Sequence, residues 1–503
     1  MGPKKPNVIY ILADDMGYGD IACNNPNSKI PTPNLDRMAS MGLRFADAHA
    51  GSSVCTPSRY NILTGDYVWR SRLKNGIVWE WDGPVIGEDQ VTVASFLKSN
   101  GYETACFGKW HLGWDWPTID GSHPNDTLEY GSRNADKRRD FGISNIDYEK
   151  PISGGPIDKG FDSYFGVDVP NFPPYTWFED DRLTDIPTVN KPAELYGNSG
   201  LAQPGWELEN MIPEFTCRVV SFIESKESRA GTTLHKPFFL YFPLTSPHSP
   251  VVPNKSFQGL SGAGNYGDFV CEVDWVVGQV IDALGRTGLT EDTLLIFTSD
   301  NGPEGRTPDD EGVYERIQTY GHFSMGNFRG IKRDLWEAGH RVPFLACWPG
   351  VVEPGGVCDE LVGLGDLLAT CADILGKTLP VGVGKDSISM LPLLTGETAI
   401  KKREYAIHHS MSGKFAVRKG KWVLLNTANG GDNEEPQWFK ELRGYKDNDA
   451  PGELYDLSSD ILESNNLYFQ HKDVSKELHD ILLEALEGSG IESHFVGDVE
   501  PIA

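Results

Sequence analysis

Asp14 and Asp15 stand side by side, and a second oxygen-bearing pair, Asp300 and Asn301, stands far along the chain. All four side chains offer oxygen ligands and three of them are anionic. Such a set suits a hard divalent cation, calcium first and magnesium second, whereas zinc normally recruits His or Cys. Adjacent acids also serve as helix caps, so either pair alone would decide little. Cys55 opens the run Cys55-Thr56-Pro57-Ser58-Arg59, which continues to Thr64-Gly65. Pro57 suits a first helical turn and Gly65 a helix stop, which places Cys55 at a helix N-terminus, where free N–H groups favour an anion. Taken by itself, Cys55 reads more readily as a small buried hydrophobe than as a nucleophile. Lys109 and His111 in Gly108-Lys109-Trp110-His111, His248 in Thr245-Ser246-Pro247-His248, and Lys332 in Gly330-Ile331-Lys332 add cations and bases.

The elements that must hold these groups alternate between strands and helices. Short apolar runs at Asn7–Leu12, Glu103–Phe107, Phe238–Leu244, Leu294–Ser299 and Pro343–Trp348 read as buried strands. Helix patterns at Asp89–Asn100 and Asp268–Leu284 lie between them, each followed by glycine. This alternation predicts an α/β fold with a large, mostly parallel sheet between helices. Ligands of such sheets bind beyond the carboxyl ends of the strands. Four of the runs lead directly into Asp14-Asp15, Lys109…His111, His248 and Asp300-Asn301, so topology gathers them. After about residue 375 the pattern changes to short strands at Ala406–Ser410, Phe415–Arg418 and Trp422–Leu425 and a final helix at Val474–Leu486. We therefore expect a catalytic α/β domain over residues 1–375 and a smaller C-terminal α+β domain over 376–503. The polar stretches Trp114–Lys150 and Val169–Gly200 read as long surface loops near the site.

Composition removes several classes of function. The 503 residues carry 45 basic and 72 acidic side chains, a formal net charge of −27, so nucleic acid and anionic membranes are repelled by the average surface. An anionic substrate would need a local cluster of Lys, Arg and metal. No apolar stretch approaches the ~20 residues of a membrane span. The eight cysteines show no close pairs, which argues against zinc ribbons and a disulfide framework. No signal peptide is visible in Met1-Gly2-Pro3-Lys4-Lys5-Pro6, as would also be true of a processed chain.

Together the motifs resemble the type I sulfatases of the alkaline phosphatase superfamily. Cys55-Thr56-Pro57-Ser58-Arg59 with Thr64-Gly65 is similar to that family's first signature, and Gly108-Lys109-Trp110-His111-Leu112-Gly113 to its second. Thr298-Ser299-Asp300-Asn301-Gly302 and Gly330-Ile331-Lys332 fall where the family has them, and Glu453-Leu454-Tyr455-Asp456-Leu457 resembles its C-terminal domain. The resemblance thus covers nearly the whole chain and lies closer to arylsulfatase A and the N-acetylgalactosamine sulfatases than to steroid sulfatases.

The resemblance implies a sulfuric ester hydrolase in which a formylglycine-generating enzyme oxidises Cys55. It implies Asp14, Asp15, Cys55, Asp300 and Asn301 as metal ligands, with Arg59 stabilising the modified residue. Lys109 and Lys332 would clamp sulfate, His111 would accept a proton, and His248 would bind sulfate and help protonate the leaving oxygen. A periplasmic or secreted location follows from the family, with the cytoplasm as the alternative. The expected substrate is a sulfated saccharide, a galactose or N-acetylgalactosamine sulfate attacked at a chain end. Trp114, with Trp79, Trp81 and Trp116, is a candidate to stack on sugar, and His322 and His340 to line the pocket; each has an equal reading as packing. Phe172–Trp177 forms either a pocket lip or loop packing. Two rival readings are a phosphate or phosphonate monoester hydrolase of the same superfamily and a non-catalytic protein that binds sulfated glycans.

Overall fold

The computed structural model describes residues 5–226, 236–305, 307, 312–397 and 403–491. Its main sheet has ten strands: β1 (Asn7–Ala13), β2 (Leu43–Phe45), β3 (Glu103–Lys109), β4 (Ser163–Val167), β5 (Phe178–Glu179), β6 (Arg182–Leu183), β7 (Phe238–Pro243), β8 (Thr293–Ser299), β9 (Phe344–Cys347) and β10 (Gly356–Cys358). They lie in the order β10-β2-β9-β8-β1-β7-β3-β4-β5-β6. The five central strands β8, β1, β7, β3 and β4 are mutually parallel. Antiparallel partners extend the sheet on both sides, β9 beside β8 and β5 beside β4.

β1 shows why its sequence is apolar without interruption. Val8, Tyr10 and Leu12 enter one core, while Ile9, Ile11 and Ala13 enter another on the opposite face. Helices Cys55–Thr64, Val93–Ser99 and Leu367–Ile374 cover the first face. Helices Pro33–Met41, Met211–Glu224 and Gly264–Thr287 cover the second. The helix expected from Asp89 begins at Val93, because Thr92 caps it: the Thr92 hydroxyl accepts from the Ser95 backbone N–H and the Ser95 hydroxyl accepts from that of Thr92. The helix expected over Asp268–Leu284 is longer at both ends and stops at Gly288 in the left-handed region, φ 68°.

The C-terminal sheet is antiparallel, in the order β11 (Tyr405–His409), β12 (Phe415–Lys419), β13 (Trp422–Leu425) and β14 (Glu453–Asp456). The helix Lys472–Leu486 packs Leu478, Leu482 and Leu486 into its core, together with Tyr67 and Trp69 of the large unit. The architecture is therefore the large mixed, mostly parallel sheet with a smaller C-terminal antiparallel sheet that the sequence pattern implies. One expectation needs correction: Trp114–Lys150 contains the helix Ala135–Ser144. That helix buries only Arg138, Phe141 and Gly142, so it has no apolar period to read. Among the described residues no helix is long and apolar enough to cross a membrane.

Candidate active site at the strand ends

Because β8, β1, β7 and β3 are neighbours, their carboxyl ends bring the separated motifs together. Asp14 and Asp15 follow β1, Lys109 ends β3, His248 lies beyond β7, and Asp300 and Asn301 follow β8. Gly108 makes this packing possible. Its φ is +130°, and a Cβ there would lie 1.9 Å from the Pro243 carbonyl oxygen of β7. Asp15 and His111, with φ of 67° and 56°, hold the left-handed conformation that non-glycine residues seldom adopt, a strain that commonly gathers at functional sites.

At the centre, Lys109 Nζ lies 2.7 Å from Asp14 Oδ2, and Lys332 Nζ 2.7 Å from Asp15 Oδ2. Arg59 donates through Nε and Nη2 to Asp300 Oδ2 at 3.0 and 2.8 Å, and its Nη2 stands 3.4 Å from Asp14 Oδ1. Asn301 Nδ2 donates to Asp15 Oδ1 at 2.7 Å. Three carboxylates thus face three cations, all buried. Burial and the neighbouring Asp14 push the Asp300 carboxyl up to about 7. Asp14, equally buried, is held well below the usual carboxylate range by Lys109, His248 and Arg59.

Cys55 begins its helix among these groups, as the Pro57 and Gly65 signals imply. Burial pushes its thiol up to about 11, even with Lys109 and Lys332 nearby. An unmodified Cys55 is therefore a protonated thiol at neutral pH and a poor nucleophile. Asp14, Asp15, Cys55 and His248 each bring a potential ligand atom within 4.8 Å of the others. Asp14 Oδ1 and Asn301 Oδ1 are buried and accept no hydrogen bond. Two orphaned oxygens in a mainly carboxylate set fit a divalent cation. In this arrangement Asp300 is turned to Arg59 and to the Asp15 backbone N–H, and His248 joins the ligand group instead.

The two histidines have defined tautomers. His111 Nε2 donates to the Val78 carbonyl at 3.0 Å, which leaves Nδ1 bare and without a partner. His248 Nδ1 donates to the Ser249 carbonyl, and its Nε2 stands 3.6 Å from Asp15 Oδ2. Burial, then Lys109, holds His111 well below its ordinary value; burial, then Lys332, brings His248 down to about 4.

The structure does not bring the softer candidates to this cluster. Trp114 is buried, stacks on Phe178 and donates Nε1 to Asp168 at 3.1 Å; Trp81 and Trp116 are buried against one another. Each is a packing residue because its ring has no exposed face for a sugar. His322 is fully buried between Asp20 and the Lys29 backbone N–H, and His340 is fully buried against His49 and His408. Trp79 stacks on Phe172, and Phe172 meets the His111 ring edge to face.

Three contributors escaped the sequence reading. Asp168 follows β4 much as Asp14 follows β1, and it accepts the His111 backbone N–H at 3.1 Å. The short run Ser163–Val167 hid that strand end. Glu304 accepts both Arg333 terminal nitrogens, at 2.7 and 2.6 Å, and lies 3.6 Å from Lys332. Arg333 itself has φ 81°. Only its position beside Lys332 signalled it.

A sulfatase family model matches residues 6–377, and the C-terminal model of N-sulphoglucosamine sulphohydrolase matches residues 326–488. The chain belongs to the sulfatase family, enzymes that hydrolyse sulfate esters. It is 34% identical to an N-acetylgalactosamine-6-O-sulfatase of Bacteroides thetaiotaomicron, over 95% of this chain and 93% of the relative. It is 33% identical to human arylsulfatase A, over 92% of this chain and 83% of that protein. A solved sulfatase from work on the metabolism of multiple glycosaminoglycans by Bacteroides thetaiotaomicron superposes with a TM-score of 0.79 at 31% identity, covering 96% of this chain and 99% of the other.

Proposed function

We propose that this sulfatase removes sulfate from a galactose or N-acetylgalactosamine sulfate at the end of a sugar chain, with a formylglycine made from Cys55 and a calcium ion. The observation that carries the reading is the strand-end cluster, in which Lys109, Lys332 and Arg59 meet Asp14, Asp15 and Asp300 around Cys55. The N-acetylgalactosamine-6-O-sulfatase relative makes the 6-sulfate of that sugar the first to test. Chain-end attack is favoured because the cluster lies beneath the surface: Cys55 is 3%, Lys332 4% and His248 8% exposed. A terminal sulfated residue reaches such a depth more readily than the middle of a polymer.

Calcium held by Asp14, Asp15 and Asn301 beside residue 55, with Asp300 reaching it on turning from Arg59, would supply Lewis-acid polarisation of a sulfate oxygen. Formylglycine would supply a hydrated aldehyde, one hydroxyl to attack sulfur and a second to help expel the sulfate. The chain's own groups do the rest. Lys109 and Lys332 aim fixed charge at the sulfate oxygens, and Arg59 braces the carboxylates beneath it. His111 Nδ1, the bare nitrogen of a neutral ring, accepts a proton from the nucleophile. His248 Nε2 is the group assigned to the leaving oxygen; with the neutral ring's hydrogen on Nδ1, it gives a proton there only as the imidazolium, a form that a bound anionic sulfate would favour.

The test is a product profile from protein matured with a formylglycine-generating enzyme. N-acetylgalactosamine 6-sulfate at an oligosaccharide terminus should be turned over faster than the intact polymer, a steroid sulfate or nitrophenyl phosphate. Preferred phosphate turnover would overturn the sulfatase chemistry. A faster steroid sulfate would overturn the carbohydrate assignment, and efficient release from internal units the chain-end part.

A further inference from the structure

We propose that His49, His340 and His408 form a second metal site, for a zinc-class divalent transition ion, that ties the large unit to the C-terminal sheet. His49 ends the short strand Ala48–His49, His340 ends the helical turn Glu337–His340, and His408 lies in β11. All three rings are buried, and one nitrogen from each lies within 4.8 Å of the other two. The catalytic scheme uses none of them.

Hydrogen bonding fixes which nitrogens are free. His340 Nε2 faces the Leu335 carbonyl at 3.1 Å and His408 Nδ1 the Ala50 carbonyl at 3.1 Å. A carbonyl can only accept, so both nitrogens carry hydrogen. His49 Nε2 lies 2.8 Å from Asp47 Oδ1. Asp47 is paired with Arg341 and Arg418 and its Oδ1 already accepts from Arg341 Nη2, so this nitrogen also donates. Each ring, if neutral, then leaves one bare lone pair: His49 Nδ1, His340 Nδ1 and His408 Nε2. The first two are 3.0 Å apart, and the third is buried with no hydrogen-bond partner. Two bare nitrogens at that distance repel unless a cation lies between them. Each ring is anchored through one nitrogen to a carbonyl or carboxylate, as metal-bound histidines commonly are, and the three other nitrogens lie close together.

The surroundings suit such an ion. Asp47 and Glu337 are matched by Arg341 and Arg418. Three neutral imidazoles favour zinc and its neighbours over calcium. A cavity of about 10 Å³, room for roughly one water, adjoins His49 and His408 on a side that His340 does not line. Ring centroids stand 5.2 Å apart for His49 and His340 and 5.0 Å for His49 and His408. Metal–nitrogen bonds of ~2.0–2.1 Å in a tetrahedral site put centroids roughly 5 Å apart. His340 and His408 are stacked at 3.8 Å and 5°, so binding must part that one pair by about 1 Å and turn the rings off parallel.

The experiment is elemental analysis of the full-length protein produced with zinc and purified without chelator, with cobalt(II) substitution as a second readout. One zinc per chain is expected, and the cobalt form should show the visible bands of a four-coordinate nitrogen site. His408→Ala should lose zinc and the cobalt bands while keeping its calcium, and Asp300→Ala should keep zinc. A chelator should lower Tm in the wild type more than in His408→Ala. Folded wild type that holds neither zinc nor cobalt in stoichiometric amount would overturn the proposal. Equal zinc in the wild type and His408→Ala would also overturn it. Because the readout is metal content, it stands or falls separately from the sulfatase assignment.

Discussion

Lys109 and Lys332 are buried in a chain whose overall charge is −27; Asp14 holds the first, and Asp15, with Glu304 3.6 Å away, holds the second. A fixed cation in such a place stabilises developing negative charge far more than a solvated one. Lys109→Ala and Lys332→Ala should therefore each lower kcat by on the order of 10²–10³ while circular dichroism shows an unchanged fold. Near-normal kcat in either variant would move the sulfate clamp elsewhere. Asp300 poses a separate question, since its oxygens face Arg59 and the Asp15 backbone. If it is a metal ligand, Asp300→Ala loses calcium and activity together. Calcium retained with low kcat would instead make it the partner that positions Arg59. At this scale the sequence was legible wherever a reactive group ends a recognisable apolar run, as with Asp14 and Asp300. It was not legible where the partner is a carbonyl, as for Val78 with His111, or where an acid follows a short strand, as for Asp168.

The elements hold the site through a few polar groups carried inside the core. Glu272 lies fully buried on the helix Gly264–Thr287 and accepts the Asn254 backbone N–H at 3.0 Å.

 Asn254 lies in the segment beyond His248, so the bond ties that helix to the loop carrying the histidine. Burial pushes the Glu272 carboxyl up to about 7. Because the folded value is raised, its contribution to stability is present below the unfolded value and is lost as pH rises through about 7. Glu272→Gln, which resembles the protonated acid, should match the wild type near pH 4.5 and exceed it above pH 7 by about 2–3 kcal/mol. Denaturant unfolding at the two pH values checks this, and an equal gap at both would remove Glu272 as the source. Strand and helix types were legible from periodicity, whereas ends depended on caps: Thr92 and Ser95 set the start at Val93. The helix Ala135–Ser144 was hidden because its buried side includes Arg138, which donates to carbonyls and to Asp82.

For the whole molecule, the change of pattern near residue 375 marked a second sheet, and β11–β14 supply it from Tyr405 onward. The contacts that join the two units were not legible. Tyr67 and Trp69 enter the C-terminal core, and Arg418 of β12 reaches Asp47, across sequence distances at which no local pattern operates. Charge is the other property that belongs to the whole chain. The surface carries most of the −27, while Arg59, Lys109 and Lys332 are buried at the strand ends. A sulfated oligosaccharide must approach through a repelling field before it meets those cations, and its several charges feel that field more than one sulfate does. Salt shortens the reach of the field from ~30 Å at 0.01 M to ~8 Å at 0.15 M but leaves the buried cluster much less screened. Raising ionic strength over that range should therefore increase kcat/KM for a multiply sulfated oligosaccharide relative to a monosulfated monosaccharide, by about two- to tenfold. The gain should appear in KM, with kcat nearly constant, because the chemistry sits inside the screened boundary. A relative kcat/KM that falls with salt would mean that a basic track on the surface draws the polymer in, and the average charge would then misdescribe the path to the site.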